Sequence, residues 1–74
     1  MSVDILTFYR FLQISKEKEN VKLFREMFSV EIERLPEKVM SSRALSKYFE
    51  LDNIYKRKLF NAVFMMYFKE KLKD

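Results

Sequence analysis

Five cations crowd one stretch of the chain: Arg43 and Lys47, four residues apart, and the run Lys56-Arg57-Lys58 shortly after. Guanidinium and ammonium groups at such spacing can contact phosphate oxygens, although a charge run is more commonly a solvated face. A formal net charge of +4 and a pI near 9.4 agree with an anionic partner. Catalytic chemistry has much less to work with. The chain has no Cys and no His, which removes disulfides, thiol redox chemistry and the usual ligands of zinc. It has no Gly, so loops that bring the backbone close to a phosphate or a dinucleotide are excluded as well. Glu31 falls in the middle of an apolar arc, where a carboxylate must be paired or neutralised, and Arg34 and Arg10 are its available partners. No second carboxylate and no nucleophile accompanies it. The expectation is a binding protein, not an enzyme, that uses no metal or other cofactor.

Helices must position these side chains. With one Pro, no Gly and many Lys, Glu, Leu and Met, the composition favours helix throughout. The expected fold is all-α: a compact bundle of three longer helices plus one short helix, in a single domain covering residues 1–74. The first helix runs from about Val3 to Ile14, capped by Ser2, with Asp4 in its first turn and Ile5, Phe8, Tyr9 and Leu12 as its apolar stripe. Phe11 and Ile14 widen that stripe, and Thr7 falls on the polar side. The second helix carries Val21, Phe24, Phe28, Ile32 and Leu35 at helical spacing and stops where Pro36 forces Leu35 out of the helical region. Ser41 or Ser42 caps a short third helix reaching about Glu50. Asp52 caps the last, from Asn53 to about Lys73.

A short helix, a tight turn and a capped basic helix over Arg43–Leu59 resemble a helix-turn-helix. Ser46, Phe49, Leu51 and Leu59 match its small and apolar positions. Two residues depart from it. Glu50 stands where the turn commonly has Gly, and Lys56 where the second helix usually packs inward. The resemblance implies contacts to double-stranded DNA through Arg43, Lys47, Asn53, Lys56, Arg57 and Lys58. An ordinary helix-helix corner is the plainer reading of the same stretch. Tyr48 and Tyr55, beside the cations, are the aromatics held back for stacking on bases.

The last helix is apolar on every side from Leu59 to Phe68, interrupted only by Asn61. Such a helix is either surrounded by its own chain or covered on one face by another. The second alternative is the expectation, with Leu59, Phe60, Val63, Phe64, Met66 and Tyr67 forming a homodimer interface. The longest apolar run, Ala62 to Phe68, is too short to cross a membrane. With no secretory signal in the first residues, a soluble cytoplasmic protein is expected. Two functions follow: a dimeric DNA-binding regulator of helix-turn-helix type, or a protein-interaction module that grips a partner protein through its last helix.

Overall fold

A computed structural model describes residues 6–72. It is all-helical, with no strand among the described residues. The elements are α1 (Phe8–Ile14), α2 (Glu19–Met27), α3 (Ser29–Glu33), α4 (Ser42–Tyr48) and α5 (Ile54–Lys71).

Each helix begins where a side chain or a torsion allows it. Thr7, assigned to the polar side of a longer first helix, is instead the cap of α1: its hydroxyl accepts from the Arg10 amide at 3.1 Å. The expected start at Val3 is therefore corrected to Phe8, because Leu6 and Thr7 are not helical. Ser2, Asp4 and Ile5, like Lys73, lie outside the described residues. Ser15, buried, closes α1 with its amide donating to the Phe11 carbonyl. The single second helix expected as far as Leu35 is divided in two. Phe28 leaves the helical region at φ −113°, ψ 35°, where its ring lies against Phe24 (4.7 Å between centroids) and Phe49 (5.1 Å). The last turn of α3 then tightens through bonds from Arg34 to Glu31 and from Leu35 to Ile32 before Pro36.

Among the described residues fourteen apolar side chains form one buried cluster. Most lie on the stripes read from the sequence: Phe8 and Leu12 on α1, Val21, Phe24, Phe28, Ile32 and Leu35 along α2–α3, Leu45 and Phe49 around α4. Phe11 belongs fully to this core, whereas Ile14 is exposed. α5 supplies Leu59, Phe60, Val63 and Tyr67 and packs chiefly on α2. Each such side chain contributes on the order of 1.5–3 kcal/mol on leaving water. Phe8 sits at the centre, in ring contact with Phe11, Phe24, Phe49, Phe60, Phe64 and Tyr67.

Two phenols tie the periphery to this core. The Tyr67 hydroxyl donates to the Leu6 carbonyl at 2.7 Å and that of Tyr48 to the Glu31 carbonyl at 2.6 Å. Glu31 is half-buried and its role here is main-chain, while Arg10, one of its expected partners, pairs with Glu37 at 3.3 Å. Between α4 and α5 the chain turns at Glu50, whose φ of 48° puts a residue with a β-carbon in the left-handed region. Glycine would occupy that torsion without the steric cost.

Three outcomes follow from this packing. Phe8→Ala removes the ring that touches six others and should cost about 3–5 kcal/mol, measured by urea denaturation. A variant as stable as the parent would refute the central place given to Phe8. Burial holds the Tyr67 hydroxyl above the ordinary phenol range, so the unfolded chain ionises first. The contribution of Tyr67 to stability should be constant below about pH 10 and should decline above it. Tyr67→Phe should cost about 1 kcal/mol at neutral pH and make the alkaline decline shallower, as thermal melts across that range will read. Glu50→Gly should raise stability by about 0.5–1 kcal/mol, since the relieved strain exceeds the added freedom of the unfolded chain; an unchanged or lower melting temperature would contradict it.

Candidate nucleic-acid interface

The corner is built by two side-chain caps. Ser41 Oγ accepts from the Ala44 amide at 3.1 Å and starts α4. Asn53 Oδ1 accepts from the Lys56 amide at 2.8 Å and starts α5. Asn53, not Asp52, is thus the cap of the last helix. Asp52 instead holds the Lys56 ammonium at 3.2 Å.

Spacing along the two helices brings cations together. Arg43 and Lys47 are one turn apart on α4, and Arg57 and Asn61 one turn apart on α5. With Ser46 and Leu51 they line an open depression of about 360 Å³ that contains no carboxylate in its wall. The Arg57 Nε donates to the Leu51 carbonyl at 3.1 Å. That bond fixes the plane of the guanidinium and leaves its terminal nitrogens to meet an anion in a fork. Among the described residues none of Arg43, Lys47, Arg57 and Lys58 is ion-paired. Three cations around a polar hollow attract phosphate by Coulomb forces, and the Asn and Ser groups add neutral hydrogen bonds.

The sequence-predicted set separates here. Arg43, Lys47 and Arg57 converge on the depression, and Lys58 is exposed on α5 nearby. Lys56 does not join them. It is the inward residue of the first turn, half-buried, ion-paired, and 5.9 Å from the centroid of the Phe28 ring. The long aliphatic stem covers the edge of the core while the ammonium reaches Asp52, so an unusual residue fills the inward place. Ile54, two residues earlier, is exposed. The Asn53 side-chain oxygen is engaged in the cap. Tyr48 is half-buried and bonded to Glu31, which removes it as a stacking platform, while Tyr55 remains exposed. Ser46 and Asn61 were missed. The signal for Asn61 was its position as the one polar residue between Leu59 and Phe68.

The expected interface on α5 needs a correction. Leu59, Phe60, Val63 and Tyr67 are buried in the core of the single chain. Phe64 and Met66 are half-buried against the same cluster, Phe64 stacking on Phe60 at 5.7 Å. All six are covered wholly or partly by their own chain because the aromatic side chains of α1 and α2 reach across to them. Met65, Phe68 and Leu72, on the opposite side, are the exposed ones. No helix among the described residues is long and apolar enough to cross a membrane. The chain matches no protein-family model, and no curated protein and no solved structure is significantly similar to it.

Proposed function

We propose that this chain is a non-catalytic DNA-binding regulator that contacts duplex DNA through the α4–α5 corner. The observation that carries this is the convergence of Arg43, Lys47 and Arg57 on one carboxylate-free depression between two capped helices. In this reading Arg43 and Lys47 hold the phosphate backbone and set the register. The exposed start of α5 enters the major groove. Arg57 and Asn61, one turn apart, are the pair whose chemistry suits base edges: a guanidinium for guanine O6 and N7, a carboxamide for adenine N6 and N7. Lys58 adds a phosphate contact. The turn supports the reading too, since the left-handed torsion at Glu50 occurs where a helix-turn-helix commonly places Gly.

Titration of a labelled random-sequence duplex should show binding whose logarithm falls linearly with the logarithm of salt concentration. With three or four cations engaged per chain, the slope should be about −3 to −4. Arg43→Gln and Lys47→Gln should each flatten the slope by about one and weaken all sequences alike. Arg57→Ala should cost about 1–3 kcal/mol, concentrated on preferred sequences. Lys56→Met serves as the control: its ammonium already faces Asp52, so DNA affinity should barely change. Absence of binding at low salt would overturn the proposal. So would an effect of Lys56→Met equal to that of the depression variants.

A further inference from the structure

Opposite the core, α5 and its C-cap residue Leu72 present Ile54, Lys58, Asn61, Met65, Phe68 and Leu72, spaced alternately four and three residues apart. That spacing is the seam of a coiled coil, and all six are exposed. The carboxy-terminal half of the seam is apolar: Met65, Phe68 and Leu72 are 56%, 45% and 66% exposed. Neither the core nor the basic corner uses them. Exposed Lys69 borders the seam, Lys71 follows it with its ammonium 5.8 Å from the centre of the Tyr67 ring, and the one carboxylate from Ile54 to Leu72, Glu70, shares a hollow with Lys69, Phe11 and Lys18.

We propose that this ridge docks an acidic amphipathic helix of a partner protein. The partner's apolar stripe covers Met65, Phe68 and Leu72, and its flanking carboxylates face Lys69 and Lys71. Charge decides between this occupant and a second copy. Two such ridges set Lys against Lys, and the chain as a whole repels itself at a net +4. Area agrees. The three apolar side chains offer roughly 300 Å², the size of a functional patch on a monomer, against roughly 800 Å² per partner in a standard stable interface. A helix recognised by a few anchors fits that size. The seam is one side chain wide, whereas a membrane-surface helix lies on a broad apolar face; in α5 the broad face is already in the core.

The probe is a synthetic helix with Leu in its seam positions and Glu on both flanks, tested beside the same peptide with Lys flanks. The acidic peptide should bind and shift the backbone amide resonances of Met65, Phe68 and Leu72, and the basic one should not. Phe68→Ser should weaken binding at least tenfold, and Lys69→Glu with Lys71→Glu should do likewise. These residues are exposed, so circular dichroism should show each variant folded; Leu72→Ser provides a second apolar test. Failure of the acidic peptide to bind would overturn the proposal, as would binding indifferent to these variants. Stronger capture by phosphatidylserine vesicles through the same residues would assign the ridge to membranes instead. Sedimentation showing a dimer dissolved by Phe68→Ser would assign it to a second copy. Both outcomes defeat the proposal, and neither bears on duplex binding at the α4–α5 corner.

Discussion

The ring of Phe8 meets six other aromatic side chains, contributed by α1, α2, the end of α4 and α5. Many of these contacts are edge-on or tilted, such as Phe8–Phe24 at 87° and Phe8–Tyr67 at 89°, the arrangement that the quadrupoles of the rings favour. A chain of this length has little area to bury and no disulfide to restrain it. Large flat side chains are its answer: each removes much surface from water while losing freedom about only two bonds. The positions of α4 and α5, and so the spacing of Arg43, Lys47 and Arg57, depend on this cluster through Phe49 and Phe60.

Outside the core, hydroxyls and amides define the geometry. Thr7, Ser41 and Asn53 each accept from the amide three residues on, and so fix where α1, α4 and α5 begin. The corner combines two of these caps with the unusual torsion at Glu50. Glu50 and Asp52 put two carboxylates into the turn of a basic corner, and neither lines the depression. Asp52 neutralises Lys56. The division between cations that hold the fold and cations that face solvent is made within a single turn of helix.

Much of the fold was legible because helical periodicity reports burial directly. Val21, Phe24, Phe28, Ile32 and Leu35 were read as one face and all are buried. Three features were not legible, each for a physical reason. A stripe says which face is inward but not that one of its members leaves helical torsion, so the division at Phe28 was invisible. Thr7 reads equally as a polar-face residue or a cap until the residues before it are placed. On α5 the apolar residues surround the axis, so periodicity carries no inward direction. The buried set Leu59, Phe60, Val63 and Tyr67 was therefore mistaken for the outward one. Lys56 was recognised as standing at an inward place, but its charge assigned it to DNA; only the structure shows the stem against the core and the ammonium on Asp52. Arg43, Lys47 and Arg57 were found because cations cluster around a stretch that resembles a helix-turn-helix; Asn61 stood out as the polar break in an apolar run, and the structure gives that break a place in the depression.

The bond from Tyr67 to the Leu6 carbonyl spans 61 residues, and the rings it accompanies draw α1 and α5 into one cluster. A ribosome making this chain therefore releases α1 long before its packing partners exist. Phe8 and Phe11 have no closed core until Phe60 and Tyr67 have left the exit tunnel. Phe8 can meet Phe24 and Phe49 before that, but the side of the core that Phe60 and Tyr67 close stays open until α5 arrives. Until then the exposed rings are the part of the chain most open to wrong association.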